Sequence, residues 1–307
     1  MRGRAEVARR AHNPEVVGSN PAPATKKDVS EMRHPFFCKA NAMRTTLFTI
    51  IALSLIAAGC RFDSGDNPFA GQPAARDTVL MLELPEYGSD EDVLFYSGFT
   101  SSYNHETLIP NWVAYELTAE ELNPVYTSQS STFSKDFNVT GRQASREDYS
   151  RSGWDKGHMA PKADMRWSEK SYWESHYFTN VCPQNHELNA GDWNVLEKQV
   201  RSLARKYGKV YVVCGPFIEN ASLGTIGDGC VQVPDAFFKA LLVYDGKSHY
   251  SSCAFVFQNN GRHQRLADYA CSVDELEAHI GRNLFAALDA MGLDSIESSV
   301  DYNLIHR

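Results

Sequence analysis

The chain has 307 residues, 43% of them hydrophobic and 22% charged, and a formal net charge of −8. This is an ordinary globular composition, long enough for two domains or for one of about 250 residues. An acidic balance argues against a dedicated nucleic-acid-binding module, and no Cys-x-x-Cys or Cys/His spacing points to zinc.

Residues 1–42 hold scattered arginines, no apolar run and the stretch "HNPEVVGSNPAPAT". No structure is expected of them, and Met43 reads as the natural start. Residues 43–59 form a short basic start followed by an apolar run from Leu47 to Ala58, too short to span a bilayer comfortably and ending in small residues as a signal peptide does. Ala57-Ala58-Gly59-Cys60 resembles a bacterial lipobox, with Ala57 where Leu is usual, which makes Cys60 the expected lipid-attachment residue. Residues 60–78 read as a polar tether. The expected localisation is an exported bacterial membrane lipoprotein facing periplasm or cell surface; a periplasmic or secreted soluble protein is the alternative. Cys182, Cys214, Cys230, Cys253 and Cys271 are five in the exported part, so at least one lacks a partner among them.

From residue 79 to 150 short apolar runs alternate with polar turns, and "WVAYEL" has the alternation of a half-buried strand. "YFTNV" at 177–181, "KVYVVCGP" at 209–216, "FFKALLVYD" and "SSCAFVFQN" are further apolar runs of strand type. Two helices are predicted. The first follows Asp192, which suits an N-cap, and stops at Gly208; Trp193, Leu196, Val200, Leu203 and Tyr207 form its inward stripe. The second opens on Ser272 and Glu275 in capping-box spacing and continues through "SVDELEAHIGRNLFAALDAM". Strands and helices do not alternate strictly, so the expected fold is α+β: a mostly antiparallel central sheet with flanking helices, over 79–307.

On the first helix, Glu197 lies roughly 85° and Arg201 roughly 125° from the centre of the apolar stripe. They form an i,i+4 pair in the favourable order, which taken alone is a helix-surface ion pair worth a few tenths of a kcal/mol. Just upstream, "TNVCPQNHELNAGDW" carries Asn180 and Asn189, turn-type residues that can also offer a neutral oxygen to a hard cation. His158, in "SGWDKGHMAPKADM", is a base suited to taking a proton from water at neutral pH. Phosphodiester hydrolysis needs such a base together with charge on the non-bridging and leaving oxygens, which one Mg²⁺ can supply.

"DKGHMAPKAD" resembles the Asp-Arg-Gly-His motif of the DNA/RNA non-specific endonucleases, the ββα-metal or His-Me finger nucleases. A second family block is matched by Asn180, Pro183, Gln184, Asn189, Gly191, Trp193, Leu196, Glu197 and Arg201, and "DYSRSGWDKGH" matches the family's lead-in. The resemblance implies His158 as general base and Asn189 as the direct ligand of Mg²⁺, with Mn²⁺ as a substitute. It implies Glu197 holding a metal-bound water, Arg201 on the phosphate, and Asn180 supporting the histidine. The implied product carries a 5′-phosphate. Lys156 stands where the family has Arg, and keeps a point charge without fork geometry. The upstream phosphate-binding residue is Lys135 or Arg142. Residues 142–209 hold twelve Lys/Arg against nine Asp/Glu, a local basic excess that suits a polyanion. DNA or RNA, a membrane through Cys60 and a second copy of the chain are the expected partners. A same-fold phosphodiesterase of narrow range and a non-catalytic surface binding module are the alternatives.

Overall fold

The computed structural model describes residues 81–128, 132–247 and 249–305. The segments 1–42, 43–59 and 60–78, with Cys60, lie outside the described residues. In chain order the strands are β1 (Asp92–Phe95), β2 (Thr100–Asn104), β3 (Ile109–Thr118), β4 (Asp155–His158), β5 (Val181–Gln184), β6 (Lys209–Phe217), β7 (Thr225–Ile226), β8 (Val231–Gln232), β9 (Ala236–Tyr244), β10 (Tyr250–Gln258) and β11 (Ala270–Cys271). The helices are α1 (Arg146–Tyr149), α2 (Glu169–Glu174), α3 (His186–Leu188), α4 (Asn194–Tyr207), α5 (Val273–Ile280) and α6 (Ala287–Met291).

Seven strands form one antiparallel sheet in the order β1-β2-β3-β6-β9-β10-β11. This is the α+β architecture expected from the sequence. The period-2 alternation of side chains divides the central strands between two cores. Val113, Tyr115 and Leu117 of β3, Val212 of β6, and Phe237 and Leu241 of β9 face one core. Trp112, Ala114, Val213, Phe238 and Leu242 face the other. "WVAYEL" is therefore a central strand buried on both faces rather than a half-buried one. α4 packs on the first face, through Leu196, Val200 and Leu203. α5 and α6 cover the second, through Val273, Leu276 and Leu288.

Three local expectations change. Gly208 ends α4 at φ +90°, as a glycine can, but Asp192 does not cap that helix. Residues Asn189–Trp193 form a wider π-type turn ahead of it, and the Asp192 carboxylate is taken up elsewhere. The helix begun by the Ser272–Glu275 capping box stops at Gly281, which turns left-handed, and a separate short helix carries Leu288. "YFTNV" is not a strand from its start, because Phe178–Asn180 is a 3₁₀ turn that leads into β5. The thiols of Cys182, Cys214, Cys253 and Cys271 are free. Among the described residues, no helix is long and apolar enough to cross a membrane.

Candidate active site

β4 and β5 form a separate two-stranded antiparallel hairpin that pairs Asp155 with Gln184 and His158 with Val181. Between them sits Gly157, where any side chain would collide with the buried Gln184 side chain. The glycine of "DKGH" is thus required by close approach across the hairpin.

Three ties hold the Asn189–Arg201 segment against β4 and the loop that follows it. The Asn189 amide donates to the Asp155 carboxylate at 2.9 Å. The Trp193 indole donates to the His158 carbonyl at 3.3 Å. The Arg201 guanidinium donates to the fully buried Asp164 at 2.7 Å. The hairpin, the turn and the helix of a ββα unit thereby bring together His158, Asn189, Glu197 and Arg201 from a 44-residue span.

The His158 ring is packed 5.0 Å from Phe133 and edge-on to His176 at 5.1 Å. Its Nε2 is buried and has no hydrogen-bond partner. Burial pushes its imidazole well below the ordinary range, and His176 and Lys162 act in the same direction. The ring is therefore neutral at pH 7 and retains an uncommitted nitrogen. His176 is held near pH 4 by burial. Its Nδ1 donates to the Tyr172 carbonyl at 2.8 Å, a partner that can only accept, so its Nε2 is the bare nitrogen.

Asn180 is wholly buried and does not face a ligand. Its amide nitrogen donates to the carbonyls of Ala160 and Ser175 at 2.9 and 2.8 Å, and its oxygen accepts from the Ala160 amide at 2.8 Å. Its own backbone carbonyl accepts from Met159. It fixes the chain directly after His158. Asn180→Ala leaves three backbone groups unsatisfied and is expected to cost about 2–4 kcal/mol, read from the denaturant midpoint. A loss below about 0.5 kcal/mol would show that those groups find other partners.

Glu197 and Arg201 are not a surface pair. Their side chains are each 14% exposed, 3.9 Å apart, and Arg201 is committed more closely to Asp164. Burial, and then the Asp164 charge, raise Glu197 to about 7, opposed by Lys239 and Arg201. Lys239 is the least expected member. It lies on the site face of β9, between Phe237 and Leu241, fully buried. Its ammonium sits 4.3 Å from the centre of the Trp193 ring with no hydrogen-bond partner. A lone lysine in an apolar strand gives no signal before its neighbours are known. In the fold it is the second cation facing the Glu197 and Asp164 carboxylates. The role of Asp155 in holding Asn189 was likewise invisible from spacing.

Lys156 lies over two aromatic rings, 5.6 Å from Phe133 and 5.7 Å from Tyr149. Arg142 is tied to the Gly229 carbonyl at 2.7 Å, whereas Lys135 is exposed two residues beyond Phe133. Among the described residues, no three His, Cys, Asp or Glu side chains converge as a metal cage. The donors present are instead the Asn189 amide oxygen, free to turn outward because its nitrogen is held by Asp155, and the Glu197 carboxylate. That set suits a hard cation that keeps most of its waters.

The same chain segments are matched in proteins of known kind. The sequence model of the DNA/RNA non-specific endonuclease family matches residues 80–291. The mitochondrial nuclease EXOG of Danio rerio is 34% identical over 69% of this chain and 66% of its own length. The mitochondrial endonuclease G of Bos taurus is 33% identical over 58% of this chain and 63% of its own. The chain thus spans about two thirds of the length of the relatives it matches. The solved EndoG/EndoGI complex superposes with a TM-score of 0.61 at 27% identity, covering 67% of this chain and 89% of the other. These relatives overturn the localisation expected from residues 43–60: they are mitochondrial nucleases, not bacterial lipoproteins. With its motifs on a ββα unit and the family match running through both, the chain belongs to the DNA/RNA non-specific endonucleases.

Proposed function

We propose that the protein is a divalent-metal-dependent nuclease that hydrolyses DNA or RNA phosphodiesters with little sequence preference, leaving 5′-phosphate ends. The observation that supports this reading is the set of three ties that join β4 and the loop after it to the segment Asn189–Arg201, since they connect the parts of the chain bearing the neutral His158 ring, the oriented Asn189 amide and the mostly buried Glu197–Arg201 pair.

His158 takes the proton from the attacking water, and its neutrality at pH 7 keeps it competent to do so. Asn189 and Glu197 would hold the cation, Asn189 directly and Glu197 through water. Mg²⁺ is the expected ion and Mn²⁺ a substitute. Once bound, it supplies Lewis-acid charge to the phosphate and leaving oxygens. Arg201, kept in place by Asp164, offers its remaining guanidinium hydrogens to the phosphate. Lys156 adds a point charge from its aromatic notch.

Digesting plasmid, single-stranded DNA and RNA side by side with Mg²⁺ and with EDTA tests the reading. Cleavage of all three with Mg²⁺ alone is expected. Cleavage of one substrate class would indicate a narrow phosphodiesterase, and no cleavage would leave a binding module.

The raised Glu197 sets an expected pH dependence. Its ionised form is lost as pH falls through about 7, whereas His158 is still neutral there. The folded value lies above the unfolded one, so the metal-free protein loses stability as pH rises from the ordinary carboxylate range through 7. Cation binding requires the ionised form, so the half-saturating Mg²⁺ concentration should rise below pH 7. Glu197→Gln removes that trend. A trend of equal size in Glu197→Gln would assign it to another group.

A further inference from the structure

The loop after β10, Asn259–Arg265, lies outside both motif blocks, yet it is strapped across the segment that carries Asn189. At its start, the Asn259 side chain accepts from the Asn185 amide at 2.8 Å and donates to the carbonyls of Pro183 and Pro234. Gly261 packs on Glu187 so closely that a side chain there would collide with the Glu187 carboxylate. His263 Nδ1 donates to Asp192, which also accepts from the Gln264 amide at 3.2 Å and the Tyr269 hydroxyl at 2.5 Å. The Tyr269 hydroxyl also reaches the Arg262 carbonyl at 3.0 Å.

Arg262 is therefore fixed between two contacts. Gly261 before it rests on Glu187, His263 after it is held by Asp192, and Asn189 lies between those two residues in the chain. The Arg262 side chain is exposed. Arg265 is exposed as well, but it spends its fork on Asp268 at 3.0 Å. A folded chain has little reason to spend a buried Asn and a buried Asp on holding an exposed basic loop rigidly beside an acidic surface loop. A polyanion crossing the site supplies the reason.

We infer that the Asn259–Arg265 strap is a second phosphate-binding element, in which Arg262 contacts the backbone of the bound nucleic-acid strand next to the phosphate being cut. The inference rests on the nuclease reading and extends its footprint beyond the two motif blocks. A contact of this kind is independent of base sequence and sensitive to salt. It acts on a strand long enough to reach past the scissile bond.

The test measures binding rather than turnover. A fluorescein-labelled 20-base-pair duplex is titrated with the full chain in EDTA, by anisotropy, over a range of KCl concentrations. Arg262→Gln is expected to weaken binding about three- to tenfold and to reduce the slope of log K against log salt by about 0.9, the loss of one phosphate contact. Asp268→Asn releases Arg265 and should tighten binding. Arg205→Gln, on an exposed position near the far end of α4, removes the same charge elsewhere and should leave binding within twofold. Arg262→Gln binding within twofold of the parent, a loss just as large in Arg205→Gln, or a parent that binds no duplex overturns the inference. A parent that binds duplex but never cuts it with Mg²⁺ overturns the nuclease reading instead.

Discussion

His158→Ala should lower kcat by on the order of 10³ on plasmid DNA while leaving the circular dichroism spectrum of a folded protein, with an unfolding midpoint lowered only by the loss of ring packing. The catalytic loss follows from the single bare nitrogen in the pocket that is both neutral at pH 7 and at the end of β4. His176 also has a bare Nε2, but its ring is fully buried whereas His158 is partly exposed, so water reaches the His158 residue and not His176. The fold is expected to survive because the local chain is held by groups other than the imidazole. The His158 carbonyl accepts from Trp193, the next amide donates to Asn180, and the Asn180 side chain grips Ala160. None of these involves the ring. The ring does pack on Phe133 and His176, so a small cavity cost remains, of about 1–3 kcal/mol at most. Purified His158→Ala that cuts at the parent's rate would remove this residue as the base. His158→Gln, closer in volume and without the base, should be as slow as the alanine variant and more stable, which separates chemistry from packing.

The contrast between His158 and its surroundings shows what a sequence can carry. His158, Asn189, Glu197 and Arg201 stand out together in the sequence because both motif blocks resemble a family pattern, and in the fold β4, the turn and α4 form one local unit. Their spacing along the chain is therefore also their spacing in the fold. The sheet was legible too, since long apolar runs of strand type have few other uses. Lys239 and Asn259 were not, because each reaches the site from a strand or loop paired far along the sequence, and a single buried lysine or asparagine has no periodicity to betray it. Helix spacing gives the position of the Glu197–Arg201 pair on one helix but not its energy. Helix geometry sees an i,i+4 pair, whereas Asp164 and Lys239 decide that it is buried and coupled to two further charges. The break at Gly281 was missed for a related reason: the apolar stripe runs on through Leu284 and Leu288, both buried in the same core, so periodicity persists across a turn that the backbone makes.

Asn189→Ala should raise the half-saturating Mg²⁺ concentration by more than about 100-fold, and Asp155→Asn by about 10- to 100-fold. The difference comes from what each residue contributes. On the proposed reading Asn189 offers the amide oxygen itself, so its loss removes a direct ligand, and among the described residues no cluster of three His, Cys, Asp or Glu side chains stands in for it. Asp155 contributes orientation, because one of its oxygens accepts from both Asn189 Nδ2 and His186 Nδ1, at 2.9 and 2.8 Å. With an amide in its place, that oxygen loses its charge, and Asn189 is free to rotate its nitrogen toward the cation. Since Asp155 acts through Asn189, the double variant should be no worse than Asn189→Ala alone, a non-additivity that independent sites do not show. Additive losses would mean that Asp155 acts on the cation or substrate directly, and an unchanged metal titration in Asn189→Ala would take Asn189 out of the coordination sphere. His186→Ala provides the remaining control. Its ring is exposed and shares the Asp155 oxygen, so the metal requirement should change by less than about threefold if Asp155 alone orients the ligand.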